Sequence, residues 1–167
     1  MREAPFGKIR DLLDRYYDAV SYAQIDFEVE TGLASEDGLR LIRRAVSHVA
    51  KHFERDDDSE LNHAGRCLGE AVVTYRQGLY IVVGETAVEL LRKAEGLRES
   101  AVGGEVAAID DARLRIAEIL KREKALENTD WEAMAGVYSN ITREMEAISA
   151  ELESLIIEMK TRRSQGG

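Results

Sequence analysis

Apolar residues recur at three- and four-residue steps along almost the whole chain, which is the period of an α-helix. The first such row consists of Ile9, Leu12, Leu13, Tyr16, Val20, Ala23 and Phe27. The stretches "TGLASEDG", "RDDDSE", "AVGGE" and "ENTDWE" interrupt the pattern and predict turns. The chain is therefore predicted to be all-α, a bundle of about five helices at about 7–30, 36–54, 59–98, 105–127 and 130–162.

Residue types at the turns predict where individual helices end. Gly32 suits a C-terminal cap, because glycine adopts a left-handed backbone without strain. Ser35 suits the N-cap of the next helix. Thr129 and Glu132 have the spacing of a capping box, which predicts the start of the last helix.

The third helical segment contains four glycines with different consequences. Gly65 and Gly69 lack a side chain and predict the close approach of another helix. Gly78 and Gly84 each weaken a helix by roughly 1 kcal/mol relative to alanine. They leave open whether this segment is one continuous helix.

The last helix has the most regular pattern in the chain. Apolar residues repeat at heptad positions over almost four heptads, as they do in a coiled coil. The d positions are Met134, Ile141, Ile148 and Leu155, and the a positions are Tyr138, Met145, Leu152 and Met159. We predict a helical bundle at 1–98 and a helical hairpin of coiled-coil character at 105–163 that packs on the bundle or projects from it.

The C-terminal third of this helix has apolar residues beyond the a and d row. Ile156 and Ile157 occupy e and f positions, where a single hairpin neighbour leaves them uncovered. Either the bundle or a second chain could cover Ile157. Burial of such a side chain is worth roughly 1.5–3 kcal/mol, so several left exposed would favour association. The predicted association interface consists of Met145, Ile148, Leu152, Leu155, Ile156, Ile157 and Met159.

Charged residues on the last helix bear on its neighbour. Its g edge carries Glu144, Glu151 and Glu158, and its e edge has no matching basic row. A parallel dimer would therefore gain little from charge pairing. The preceding helix, or another antiparallel partner, fits at least as well, and the preceding helix offers Arg113, Arg115, Lys121 and Lys124.

Composition narrows the class of protein. The 167 residues are 44% hydrophobic and 33% charged, and the net charge of −9 disfavours a general nucleic-acid coat. The single cysteine, Cys67, favours a reducing, cytoplasmic compartment. We predict no membrane association, because Glu70, Arg76 and Glu85 interrupt the most apolar segment and the first residues lack a signal-peptide pattern.

The second helix is predicted to bury one apolar row, Leu39, Ile42, Val46, Val49 and Phe53. At about 100° per residue, the basic residues fall on the opposite side within a sector of roughly 80°. This basic stripe consists of Arg40, Arg44, His48, Lys51 and Arg55. One interpretation is a solvated face paired with acidic neighbours. The other is a contact surface for phosphates, RNA or an acidic partner helix.

The three histidines lie close together in the sequence, at His48, His52 and His63. Glu60 and His63 have the E-x-x-H spacing found in di-iron helical bundles. Such a site needs two of these motifs and two further glutamates, whereas this chain has one motif. We therefore predict no metal site and no cofactor, with His52 at the core boundary and His63 near a helix cap.

Arg43 and His48 form an R-x-x-x-x-H sequence. With "RRAVSHVAKHF" and the following "LNHAGRCLGEAVVTYRQGL", it resembles the HEPN superfamily of small helical-bundle proteins, over 7–98 at most. Many members are metal-independent ribonucleases whose Arg and His are separated by four to six residues. Here the pair lies within an early helix, with its side chains about 140° apart. The resemblance therefore favours a HEPN-like fold without catalysis over an active nuclease.

The function that these patterns favour is non-enzymatic, with no predicted catalytic residue. We expect a helical interaction or assembly protein that forms a homo-oligomer or binds a helical protein partner through its last helix. The basic stripe would contact an anionic partner, with RNA the less favoured one. The alternative is a HEPN-like ribonuclease or an inactive HEPN-like accessory protein.

Overall fold

The computed structural model describes residues 5–127 and 129–166 and confirms the all-α fold. The elements are α1 (Pro5–Thr31), α2 (Glu36–Arg55), α3 (Asp58–Gly96), a short 3-10 helix (Arg98–Ser100), α4 (Gly104–Lys124) and α5 (Trp131–Gly166). No strand occurs in these residues, and no helix among them is long and apolar enough to cross a membrane. Each predicted helix is present, with its ends a few residues from the predicted positions.

The turn between α1 and α2 has both predicted caps. The backbone of Gly32 has φ +67°, and its N–H donates to the carbonyl oxygen of Glu28 at 2.9 Å. The hydroxyl oxygen of Ser35 accepts from the backbone N–H of Gly38 at 3.1 Å, which fixes the start of α2.

The predicted capping box at Thr129 is wrong. A carboxylate oxygen of Asp130 accepts from the backbone N–H of Ala133 at 2.9 Å, so Asp130 caps α5. Asp130 also accepts, through its carbonyl oxygen, the backbone N–H of Met134. The cap lies one residue later than predicted because an aspartate accepts at this position as well as a threonine does, and Trp131 becomes the first helical residue.

The chain forms two compact units, and two long helices contribute to both. Unit 1 ends at Leu79 and also includes Asp130–Gly136, whereas unit 2 comprises Tyr80–Thr129 and the residues from Val137 onward. Helix α3 is continuous through Gly78 and Gly84, so the border falls inside a helix. This division differs from the predicted one at 98 and 105, which assumed that a unit ends at a loop.

One buried cluster in the core of unit 1 is built from α1 and α3. It consists of Tyr16, Val20, Ala23, Val72 and Tyr75. Two glycines of α3 confirm the predicted close approach of other helices, through Trp131 of α5 and Tyr16 of α1. An added Cβ at Gly69 would lie 2.7 Å from Cγ of Trp131, and one at Gly65 would lie 3.2 Å from the hydroxyl oxygen of Tyr16.

The predicted buried row of α2 is wrong. The structure buries a different side, formed by Gly38, Leu41, Ala45 and His52. Within the predicted row, Val46 and Phe53 are exposed, and Leu39, Ile42 and Val49 are half-buried. The reason is steric: the small residues Gly38 and Ala45 let α2 approach its neighbours more closely than a face of larger side chains would allow.

Unit 2 packs α4 against α5 in antiparallel order. Arg115 pairs with Glu151, Arg122 with Glu144, and Glu105 at the start of α4 with Arg162 near the end of α5, the last at 2.9 Å. The first pair confirms that the preceding helix meets the g-edge glutamates. Of the predicted a and d residues of α5, seven are buried and Met134 is half-buried. Supercoiling of a coiled-coil kind remains a prediction.

Candidate functional site

The three histidines lie where α2 meets α3 in unit 1. Nδ1 of His48 is 2.6 Å from a carboxylate oxygen of Glu60, and both side chains are half-buried. His52 is buried, and its Nδ1 donates to the carbonyl oxygen of Asp57 at 2.9 Å. The ring of His63, which is exposed, lies 5.3 Å from the ring of His48. The sequence placed His52 at the core boundary, whereas the structure buries it, and it placed His48 on an exposed face, whereas the structure half-buries it.

The chemistry available to this cluster is limited. Glu60 fixes the ring orientation of His48 and leaves Nε2 as the atom for proton transfer. The nearby thiol of Cys67 is half-buried, and burial raises its pKa, which disfavours the reactive thiolate. In residues 5–127 and 129–166, no group of three or more His, Cys, Asp or Glu side chains could hold a metal ion.

The pair of His48 and Glu60 makes stability depend on pH. The hydrogen bond from His48 holds the pKa of Glu60 below its ordinary value of 4.5. A carboxylate with a lowered folded-state pKa stabilises the protein above its unfolded value, and this contribution is lost as pH falls through the folded-state pKa. Glu60→Gln should therefore lower the free energy of unfolding at pH 7, and its difference from the wild type should shrink below about pH 4.5.

Urea unfolding followed by circular dichroism at pH 7 and pH 3 measures this difference. Glu54→Gln, which removes an exposed carboxylate from α2, is the matched control and should show no such convergence. If the free energies of unfolding of Glu60→Gln and the wild type differ by the same amount at pH 7 and pH 3, the coupling is refuted.

The basic stripe is only partly available to a partner. Arg40 pairs with Asp37 at 2.8 Å, and His48 pairs with Glu60. The other members, Arg44, Lys51 and Arg55, form no ion pair with any residue that the structure describes. The stripe therefore presents three cations without an ion-pair partner among the described residues: Arg44 and Arg55, which are exposed, and Lys51, which is half-buried.

An apolar patch covers the other side of α2 and the adjacent side of α1. It consists of five exposed side chains, Phe6, Leu13, Tyr17, Val46 and Phe53. A groove of about 430 Å³ runs through it, lined by thirteen residues of which none is charged. The rings of Phe6 and Phe53 meet edge to face, 6.0 Å apart, and extend the apolar surface past the groove. We call this surface the apolar patch.

The predicted association interface on α5 is mostly inside unit 2. Met145, Ile148, Leu152, Leu155 and Met159 are all buried within the single chain. Ile156 is half-buried and Ile157 is exposed. Of the predicted interface residues, only Ile156 and Ile157 are therefore accessible to a partner.

Comparison with protein-family models, with curated proteins and with solved structures finds no match to this chain. Its candidate surfaces are therefore interpreted from their own geometry and chemistry.

The apolar patch is the surface that sequence reasoning missed. Leu13, Val46 and Phe53 were assigned to buried rows, and Phe6 and Tyr17 were not assigned to any row. A signal was present, since the apolar residues of α1 span a wider arc than one neighbouring helix covers. That width indicates a second contact on the same helix.

Proposed function

We propose that this protein is a non-enzymatic helical assembly protein that self-associates through the apolar patch on unit 1. The observation that carries the proposal is the patch itself: two helices expose five large apolar side chains around an uncharged groove. An exposed apolar patch of this extent is often an interaction site.

The area of the patch matches what a homodimer requires. Phe6, Tyr17 and Phe53 are 72%, 64% and 50% exposed, which leaves on the order of 400 Å² of aromatic surface uncovered. Leu13 and Val46, 49% and 65% exposed, enlarge it further. A standard interface buries about 800 Å² per partner, of which about 65% is apolar in homodimers.

Charge opposes a second copy less at the apolar patch than elsewhere on the chain. Two copies of a chain with net charge −9 repel each other in general. The patch lies on the least acidic part of the chain: 6–24 has three basic and three acidic residues, and 36–55 has five basic and three acidic residues. Copies that meet here bring together surfaces of slightly positive charge, and a twofold arrangement is the commonest symmetry for such pairs.

Light scattering at several protein concentrations tests self-association. We expect the mean mass to rise from that of a monomer toward twice that value, with little dependence on salt, because the contact is apolar. A monomer mass at every concentration up to about 100 μM would contradict the proposal, since interfaces of this size commonly bind in the micromolar range or tighter.

The basic stripe provides a second contact in this proposal. Arg44, Lys51 and Arg55 are unpaired cations, and charge-assisted bonds to carboxylates are their preferred contacts. Three cations on an acidic chain fit an acidic protein helix better than a long polyanion such as RNA. The stripe and the apolar patch occupy different sides of α2, so one copy can make both contacts.

Charge reversal tests the stripe. Arg44→Glu with Lys51→Glu should keep its helical circular dichroism and lose at least tenfold in affinity for a fluorescent Glu-rich helical peptide, because two attractive contacts become repulsive. The wild-type affinity should fall as salt rises from 50 to 300 mM. Equal binding by both proteins, without salt dependence, would mean that the stripe is only a solvated face.

A HEPN-like ribonuclease is the second candidate, favoured by the histidine that Glu60 orients. His48 contacts α3, whereas Arg43 is exposed and forms no ion pair among the described residues. A cleavage assay discriminates the two candidates: labelled single-stranded RNA is incubated with the protein in the buffers used for peptide binding. RNA cleavage that is lost in both His48→Ala and Arg43→Ala would support the nuclease and overturn the non-enzymatic proposal.

A further inference from the structure

Unit 2 contains a cavity that the proposed function does not use. Its volume is about 680 Å³, and α3, α4 and α5 all contribute to its walls. Buried Ile116 and Met145 are among its lining residues, together with Val88 and Leu120. The volume lies within the range of about 300–1,000 Å³ that is typical of small-molecule sites, which combine an apolar lining with a few polar groups.

The polar groups of this cavity are mostly acidic. Its lining includes Glu85, Glu89 and Glu123 against a single cation, Arg92. Glu89 already pairs with Lys93 at 3.4 Å. The other two carboxylates form no ion pair within the described part of the chain. The cavity therefore presents negative charge beside an apolar wall.

Glu123 differs from the exposed carboxylates because it is half-buried. Its partner is the hydroxyl of Tyr80, which is buried and donates a hydrogen bond to the Glu123 carboxylate. Burial and this carboxylate together raise the pKa of Tyr80 to about 12, so the tyrosine stays a donor at neutral pH. A half-buried carboxylate without a cation lacks the partner that such groups usually have. A bound cation would supply it.

Gly84 keeps the cavity open above Met145. A Cβ added at Gly84 would meet only the methyl carbon of Met145, at an ordinary van der Waals distance of 3.8 Å. Close packing of a helix therefore does not require this glycine, in contrast to Gly38 or Gly69. Since glycine weakens a helix, its position here leaves space where a larger side chain would fill the cavity.

We propose that this cavity binds a small organic cation, with its ammonium against Glu123 and Glu85 and its apolar body over Met145. The charge of the walls selects a cation over a neutral or anionic molecule of the same shape. The apolar lining selects an organic ammonium over a hydrated metal ion, for which the described residues offer no group of three ligands. The proposal stands independently of self-association through unit 1.

Methyl NMR of protein labelled at its methionine methyl carbons tests the proposal. The probe is 4-phenylbutylamine, and 4-phenylbutanol and 4-phenylbutyrate are its neutral and anionic counterparts of similar shape. The Met145 signal should shift on titration with the amine, whereas the signal of Met159, which is not among the lining residues, should stay in place. We expect the amine to bind about tenfold more tightly than the alcohol, the effect of one charge-assisted contact, and the acid to bind most weakly.

Two variants separate charge from shape. Glu123→Gln retains an acceptor for Tyr80 and should reduce the affinity for the amine about tenfold without changing that for the alcohol. Glu118→Gln, on an exposed part of α4, is the matched control and should bind the amine like the wild type. Gly84→Leu should remove the Met145 shift with all three probes while the helical circular dichroism is kept.

Three results would overturn the proposal. The first is equal affinity for the amine, the alcohol and the acid, which would indicate an unspecific apolar groove. The second is an amine affinity that Glu123→Gln leaves unchanged. The third is the absence of any Met145 shift at millimolar amine.

Discussion

Replacing Gly38 by alanine is expected to destabilise the protein by roughly 2 kcal/mol, within the usual range for an overpacked core. A Cβ at this position would lie 2.4 Å from Cζ of Tyr75, far inside van der Waals contact. Tyr75 is completely buried, and its rigid ring has no flexible end that can move aside. Either α2 or the tyrosine must shift, and α2 carries the basic stripe and part of the apolar patch.

Gly84→Ala is the control for this prediction. The space at Gly84 accepts a Cβ, so alanine there should raise the free energy of unfolding by up to about 1 kcal/mol through helix propensity alone. Urea unfolding followed by circular dichroism measures both variants. In a Tyr75→Leu background the cost of Gly38→Ala should largely disappear, because the two positions are coupled by direct contact. An equal effect of both glycine variants would contradict the steric explanation.

Much of the fold follows from local sequence signals. Helix positions depend on apolar period and on caps, and Ser35 and Gly32 act through hydrogen bonds with residues three or four positions away. Such short-range interactions are readable without knowledge of the tertiary structure. The heptad row of α5 was predictable from its spacing, because the large apolar residues of α5 recur on one side and that side is buried.

The buried side of α2 could not be predicted from hydrophobicity alone. Hydrophobicity favours the side of Val46 and Phe53, but the space required by Tyr75 favours the side of Gly38 and Ala45. This preference depends on a residue of another helix, more than thirty positions away in the sequence. The α2 part of the apolar patch is the direct consequence, since Val46 and Phe53, which hydrophobicity assigned to the core, are left exposed.

The unit 2 cavity depends on the same kind of long-range information. Its lining combines residues of α3, α4 and α5, and no local motif connects Gly84 with Glu123 or Met145. The sequence marked Gly84 only as a place where a helix weakens. Only the packing of three helices shows that the missing side chain at Gly84 leaves space above the buried Met145.

Tyr17→Glu with Val46→Glu should weaken self-association at least 100-fold. Each side chain loses burial worth roughly 1.5–3 kcal/mol, and each new carboxylate would have to be buried without a partner. In a twofold dimer both substitutions act twice, once in each copy. Both positions are exposed in the monomer, so the folded chain should tolerate the charges. The variant should show wild-type helicity and unfold at the same urea concentration.

A matched variant controls for the added charge and the lost apolar residues. Tyr22 and Val29 lie on another side of α1 and are 63% and 73% exposed, close to the values at Tyr17 and Val46. Tyr22→Glu with Val29→Glu therefore changes the same residue types at similar exposure outside the apolar patch. Ile156→Glu with Ile157→Glu adds the corresponding change at the end of α5, where the sequence predicted an interface.

Sedimentation equilibrium of the wild type and these three variants tests the central claim most directly. We expect a dimer for the wild type, for Tyr22→Glu with Val29→Glu and for Ile156→Glu with Ile157→Glu, and a folded monomer for Tyr17→Glu with Val46→Glu. A monomeric wild type, or a patch variant that remains as dimeric as the wild type, would contradict self-association through the apolar patch.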